Sequence, residues 1–330
     1  MIGVLGRALL ATAFAASAVP ASAPGTPPVP PVMAQLRDRL AQIAGSVPEG
    51  GRVGIAAIHL ESGARVGVHA GEPFPMASTY KVAIAATFLH QVELGRASLD
   101  APVPMELVRR NDSDGDADRL PAWGLPLDAR NLIEIMLRRS DNSATDAMLE
   151  LVGGPGAVSE WLRAIGIPDQ RVDRGVAQMI LDSDGTPVPA GLTAPQALKR
   201  QGWSPPSPVN PSFDADPRDS STADAMALLL ARVARGQLLN GAHTYFLVNV
   251  MARCQTGRRR VAALLPPGTP WAHKTGTLAG IANDVGILRL PDGQHVALAI
   301  FVRGIQDPRQ RDAVVAEVGR TLHDGMLLAR

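Results

Sequence analysis

The chain has 330 residues, 46% hydrophobic and 19% charged, enough for a sizeable core and for two lobes that share it. A formal net charge of +1 supplies no strong basic or acidic field, which argues against nucleic acid or an anionic membrane surface as partner. The single cysteine, Cys254, cannot form an internal disulfide, and its simplest reading is a small buried apolar residue.

Residues 1–23 carry one early positive charge, Arg7, then an apolar segment from Ala8 to Val19 and the small-residue run Ala21-Ser22-Ala23, the pattern of a secretory signal peptide and of export to the periplasm. The segment is too short for a stable membrane anchor. Residues 24–32 read as a proline-rich extended spacer. Leu36, Leu40 and Ile43 recur at helical spacing, and the β-rich runs VGIAAIHL and ARVGVHA flank Glu61-Ser62-Gly63 as a hairpin. From Ser78 to Gly236 the pattern is mainly helical, with helices expected at 78–93, 129–139, 143–152, 222–235 and, just beyond, 242–254. Strands follow at Trp271 to Leu278, Asp284 to Leu290 and His295 to Val302, the last two joined by Pro291-Asp292-Gly293. A final helix from Pro308 sets Val314, Val318, Leu322 and Met326 on one face.

This order predicts an α/β fold, an α+β sandwich in which a five-stranded antiparallel sheet is covered by N- and C-terminal helices, with an inserted all-helical lobe. Within a catalytic domain spanning 33–330, the sheet lobe takes residues 33–75 and 265–330, and the helical lobe 76–264. Residues 184–217 resist the scheme. They are proline-rich without sustained period, with only Ala194 to Gln201 suited to a helical turn or two, and either a lid or a disordered excursion fits such a segment.

The chemistry concentrates in three short motifs. Ser78-Thr79-Tyr80-Lys81 opens an apolar helical run, so Ser78 and Lys81 share one face as nucleophile and base. The chain keeps only three lysines, Lys81, Lys199 and Lys274, among 32 basic residues, and lysine can act as a neutral base where arginine cannot. Ser140-Asp141-Asn142 lies between two helices, where helix capping is the plain alternative. Lys274-Thr275-Gly276-Thr277 lies on the first late strand. In this order the three resemble the signature of class A serine β-lactamases and penicillin-binding proteins, over nearly the whole mature chain. From Ser78 to Ser140 is 62 residues, close to the family's interval; from Ser140 to Lys274 is 134, and the proline-rich segment accounts for the surplus. The run Arg171-Val172-Asp173-Arg174 looks like the start of the class A ω loop, and Thr256 to Arg260 reads Thr-Gly-x-x-Arg.

The resemblance implies roles. Ser78 attacks the lactam carbonyl, with the backbone N–H groups of Ser78 and Thr277 as oxyanion hole. Lys81 is the candidate base, Ser140 relays a proton to the leaving nitrogen and Lys274 steadies that hydroxyl and the substrate anion. Asn142 binds the amide side chain, Thr275, Gly276 and Thr277 line the substrate strand, and Arg260 helps to hold the carboxylate unless it is one more exposed arginine in the run Arg258-Arg259-Arg260. No cofactor or metal is implied. The partner is a small molecule, a β-lactam or a peptidoglycan-like peptide or ester, and the protein is expected to be a monomer.

One part of the pattern breaks. Aligned on Arg171 and Asp173, the family's water-activating glutamate falls at Val176 and its asparagine at Ile180, neither of which activates water. Asp182 and Asp184 are the next carboxylates further along the chain. Two readings follow: a secreted serine β-lactamase with altered deacylation, or a penicillin-binding, DD-peptidase-like or esterase-like protein whose Ser78 acylates and stalls. The acidic run 111–118 fails the spacing of a calcium loop and reads as a solvated loop or a weak calcium site. The seven histidines lack zinc-ligand spacing. His273 is expected to face away from the site, because neighbouring strand residues alternate.

Overall fold

The computed structural model describes residues 31–110, 127–202 and 208–328, so the expected signal peptide, most of the spacer and the acidic run 111–118 lie outside the described residues. Helix α1 (Pro31–Gly45) starts two residues inside the expected spacer, since proline in a first helical turn forfeits no hydrogen bond. It buries Leu36, Leu40 and Ile43. Strands β1 (Arg52–His59) and β2 (Arg65–Val68) form the hairpin, β3 (Pro73–Pro75) follows, and a 3-10 turn at Ala77–Tyr80 runs directly into α2 (Lys81–Glu93). The helical lobe continues through β4 (Pro102–Val103), α3 (Met105–Arg110), β5 (Leu127–Asp128), α4 (Ala129–Arg138), α5 (Asn142–Leu151) and α6 (Pro155–Ala164). Then come α7 (Val176–Ser183), α8 (Ala194–Gln201), α9 (Pro211–Asp214), β6 (Ser220–Thr222), α10 (Ala223–Ala234) and α11 (Gly241–Ala252). The chain closes with β7 (Trp271–Leu278), β8 (Ile281–Arg289), β9 (His295–Arg303) and α12 (Pro308–Leu328).

The five long strands form one antiparallel sheet in the order β2-β1-β9-β8-β7. Strand alternation divides its two faces by size. Val53, Ile55, Val296, Leu298, Ile300 and Val302 fill the face covered by α1 and α12. On the other face Ala56, Ala297 and Ala299 belong to the core of the helical lobe, and these small residues let α10 approach closely. The late sequence positions of β7, β8 and β9 thus become the sheet's centre and one edge, and the edge strand is the one that carries Lys274-Thr275-Gly276-Thr277.

The long middle segment is a loop with a closed neck. Arg171 N–H donates to Ser220 O at 3.0 Å, Thr222 N–H to Asp169 O at 3.2 Å, and Gln170 bridges Ser221. Strand β6 pairs with β3, and Met76 N–H donates to Asp219 O at 2.9 Å, so the neck is tied to the chain two residues before Ser78. Between these points the segment forms α7, α8 and α9. Helix α8 covers the one stretch whose pattern suited a helix, and its Thr193–Gln196 capping box explains its start. The neck is closed by charge: buried Arg174 reaches Asp219 at 2.5 Å, Asp182 at 2.6 Å and Asp216 at 3.2 Å.

Candidate active site

Ser78 stands in the 3-10 turn, half-buried, with Lys81 as the first residue of α2. The turn is entered through Ala77 at φ 46°, a left-handed conformation that an alanine adopts only when its surroundings impose it. Two contacts impose it. Asn283, fully buried on β8, donates from Nδ2 to Pro75 O at 2.9 Å and to Met76 O at 3.0 Å. Gly276 brings β7 against the same turn so closely that a Cβ there would lie 2.4 Å from Met76 O and 3.1 Å from the Ala77 methyl. Glycine in this motif is therefore a requirement of approach between the nucleophile turn and the edge strand.

Ser140 joins the two lysines. Its φ of 62° turns both its carbonyl and its hydroxyl inward. Lys81 Nζ donates to Ser140 O at 2.7 Å, to Ser140 Oγ at 3.2 Å and to Asn142 Oδ1 at 2.9 Å. Lys274 Nζ donates to the same Oγ at 2.9 Å and to Thr275 O at 2.7 Å. With both lone pairs of Oγ accepting, the hydroxyl proton is the group left for donation. Asp141 rather than Ser140 caps α5, accepting from Ala144 N–H at 2.7 Å, so capping does not account for Ser140. Both lysines are fully buried. Burial pushes the Lys274 ammonium down to about 8; Arg260 acts in the same direction, while Cys254 and Asp284 oppose it.

Arg260 is buried, unlike Arg258 and Arg259 beside it in the run. Its guanidinium donates to Gly276 O at 2.9 Å, Asn283 O at 2.8 Å, Asp312 Oδ1 at 2.8 Å and Thr277 Oγ1 at 2.6 Å. These four bonds leave one of the five guanidinium N–H groups, so Arg260 serves the strand before it can serve a ligand. By occupying a lone pair of Thr277 Oγ1 it turns that hydroxyl's proton outward. Thr275 Oγ1 shares a hydrogen bond with Thr256 Oγ1 at 2.6 Å. His273 alternates away from Lys274: its Nδ1 meets Asp284 Oδ1 at 2.7 Å and its ring stacks on Trp271.

In the ω region Val176 is buried as the first residue of α7, and its N–H donates to Asp146 Oδ1 at 2.7 Å. Asp182 is fully committed, to Arg174, to Gln178 Nε2 at 2.6 Å and to Arg218 at 3.4 Å. Asp184 and Ile180 line a cavity of about 1040 Å³ together with Thr277, Leu278, Gly304 and Arg311.

The structure thus gathers Ser78, Lys81, Ser140, Asn142, Lys274, Thr275, Gly276, Thr277 and Arg260 around one edge of the sheet. A sequence profile described as the beta-lactamase enzyme family matches residues 35–326. The chain belongs to that family. Beta-lactamase L2 of Stenotrophomonas maltophilia is 33% identical over 82% of this chain and 80% of its own length. The extended-spectrum beta-lactamase PER-1 of Pseudomonas aeruginosa is 28% identical over 76% of this chain and 75% of its own. Among solved structures, an ancestral class A beta-lactamase superposes with a TM-score of 0.72 at 29% identity, covering 88% of this chain and 99% of that one. A beta-lactamase from Chitinophaga pinensis gives a TM-score of 0.72 at 26% identity with the same coverage.

Several residues of the site are not marked by the motifs. Asn283 and Asp312 act through backbone geometry and a distant helix, which no short pattern shows. Asp146 was visible in principle, because it stands four residues after Asn142 on the same helical face. Cys254 departs from its reading as a buried apolar residue: its half-buried thiol lies 3.3 Å from Thr256 Oγ1.

Proposed function

We propose that this protein is a secreted serine β-lactamase that opens β-lactam amides through a Ser78 acyl-enzyme and releases the acyl group slowly. The observation that carries the reading is the double hold of Lys81 and Lys274 on Ser140 Oγ. Ser78 Oγ attacks the carbonyl as Lys81 takes its proton. The tetrahedral oxygen is held by the backbone N–H groups of Ser78 and Thr277, and Ser140 donates its remaining proton to the ring nitrogen as the C–N bond breaks. Lys274 keeps Ser140 in place and, with the outward proton of Thr277, receives the substrate carboxylate. Asn142, held by Lys81, presents its amide to the acyl side chain.

Hydrolysis of the ester needs a base at the ω loop, and Val176 has no acidic or basic group. Asp182 is bound to two arginines, which supports Asp184, on the wall of the Thr277 cavity, as the carboxylate nearer to that duty. The same valine favours a second reading, a penicillin-recognising protein that stays acylated. The leader at 1–23 supports export in either case. Mixing the purified protein with a chromogenic cephalosporin and taking intact mass tests the proposal: a mass adduct on Ser78 that decays with repeated colour formation is expected. A permanent adduct selects the trap, and no adduct with no colour overturns both.

A further inference from the structure

Beyond Thr277 the site opens into the cavity of about 1040 Å³, at the upper limit of the range of roughly 300–1,000 Å³ common for small-molecule sites. Its walls come from three places: the β7–β8 turn from Leu278 to Gly280, Ile180 and Asp184 at the end of α7, and the stretch between Gly304 and Arg311 that leaves β9 and starts α12, with the exposed Glu49 beside it. The walls are tied to one another. Ile305 N–H donates to Gly280 O at 3.3 Å, and Gln306 Oε1 accepts from the N–H of Val209, in the proline-rich segment, at 2.8 Å.

Arg311 is the cation of this lining. It is only 6% exposed, yet its guanidinium is under-bonded: Nη1 donates to Ile305 O at 2.9 Å, buried Nε has no partner, and no carboxylate of the described residues forms an ion pair with it. The neighbouring carboxylates have other work. Asp312 is taken by Arg260 at 2.8 Å, and Asp307 accepts from Arg309 N–H at 2.8 Å in the first turn of α12. Burial, and then Arg260, disfavour the charge on Arg311 more than Asp312 and Asp307 favour it, so its pKa is lowered. A buried cation with unused donors is stabilised by an anion that reaches it. Arg311 also stands in the first turn of a 21-residue helix, whose N-terminus adds to the attraction for negative charge. The other titratable groups of the lining, Asp184 and Glu49, are acidic. An anion alone would meet their repulsion, whereas a group with both a carboxylate and an ammonium finds a partner for each.

We propose that this cavity is a specificity subsite for β-lactams whose acyl side chain ends in an amino acid head, with the carboxylate on Arg311 and the ammonium toward Asp184 and Glu49. The inference rests on the proposed Ser78 chemistry and names the class of substrate which that chemistry receives. The planar guanidinium fork suits a carboxylate, and the volume beyond Thr277 accommodates the side chain that carries it. Arg311 acts on the end of the acyl group and not on the bond that breaks, so it selects among substrates without setting the rate for all of them.

Three cephalosporins that share one nucleus and one acetoxymethyl substituent test it. Cephalosporin C carries a D-α-aminoadipyl group that ends in an amino acid, its adipyl analogue keeps the carboxylate and lacks the ammonium, and the thienylacetyl group of cephalothin is uncharged. The readout is the second-order rate of Ser78 acylation by intact mass, divided for each compound by its own rate of hydrolysis by hydroxide. Reading acylation keeps any part of Asp184 in deacylation out of the measurement. The wild-type protein should acylate about tenfold or more faster with cephalosporin C than with either other compound. Arg311→Gln should lower the cephalosporin C rate about tenfold or more and leave cephalothin within about twofold, and Arg311→Lys, which keeps the charge and loses the fork, should fall between. Glu49→Gln, at an exposed position, should reduce the preference over the adipyl analogue by about twofold to fivefold. Equal wild-type rates for cephalosporin C and cephalothin overturn the proposal even if Arg311→Gln does not fold, as does an adipyl analogue that reacts as fast as cephalosporin C. A loss in Arg311→Gln of the same size for all three compounds also overturns it, because a purely structural role gives that result. Cephalothin judges the proposed function separately: no adduct with any of the three sinks that reading, whereas a cephalothin adduct without preference sinks the subsite alone.

Discussion

At the scale of single residues, the site is a set of side chains whose protons are directed by their neighbours. Ser140 accepts from Lys81 Nζ and Lys274 Nζ, and Thr277 accepts from Arg260, so each hydroxyl keeps its proton for the substrate. Lys274 is the titrating member. Its burial lowers it to about 8, so it is charged below that pH and loses its charge as pH rises through it. The charged form attracts the substrate carboxylate and holds Ser140, so kcat/KM for acylation should be flat up to pH 7 and fall as pH passes about 8, measured by stopped-flow colour release. A profile still rising at pH 9 would assign the neutral amine as the working form. The lysines were legible in the sequence because the chain is so poor in them. Arg260 was only half legible: its position after Thr256-Gly257 marked it, but three exposed or buried arginines in a row look alike until Gly276 O, Asn283 O and Asp312 are placed around one of them.

At the scale of elements, strands and long helices follow from periodicity, and β7 was read at its observed bounds, Trp271–Leu278. Helices α6 and α7 were not, for different reasons. Helix α6 starts after two glycines at positive φ and reads locally as a turn. Helix α7 follows the run that resembles the start of the ω loop; its apolar stretch Val176 to Leu181 is too short to show a period, and Asp146 anchors its first N–H from another helix. That anchor yields a prediction. Val176→Glu places a carboxylate at a helix N-terminus, which favours it by about 0.3–1 kcal/mol, but beside the Asp146 carboxylate, which disfavours its ionised form. Val176→Glu should therefore raise the deacylation rate of the Ser78 adduct, and Val176→Glu with Asp146→Asn should raise it further, followed by decay of the adduct in mass spectra. An unchanged decay in both would place the missing base elsewhere on the loop, and Asp184→Asn would then be expected to slow it.

At the scale of the molecule, two cores meet across one sheet, and the site lies where the edge strand touches the helical lobe. Asn283 is a buried polar tie between them, since it donates to Pro75 O and Met76 O on one side while its Oδ1 accepts from Val302 N–H at 3.1 Å on the other. Asn283→Ala strands these buried groups and should cost about 2–3 kcal/mol in urea unfolding, with a loss of acylation larger than the loss of stability explains. An acylation rate that stays at the wild-type value would show that the nucleophile turn keeps its shape without this tie. The ω loop's Arg174 cluster holds the other wall, and its partners Asp182, Asp216 and Asp219 come from both ends of the proline-rich segment, a convergence that the sequence alone gives no means to foresee. The whole account turns on a complete acylation apparatus set beside a loop without its glutamate. Rapid mixing with excess chromogenic cephalosporin tests this most directly: a burst of one equivalent of colour per chain, then a slower steady rate, is the predicted result. Linear release from the first turnover would contradict slow deacylation, and absence of both burst and steady release would contradict Ser78 as the nucleophile.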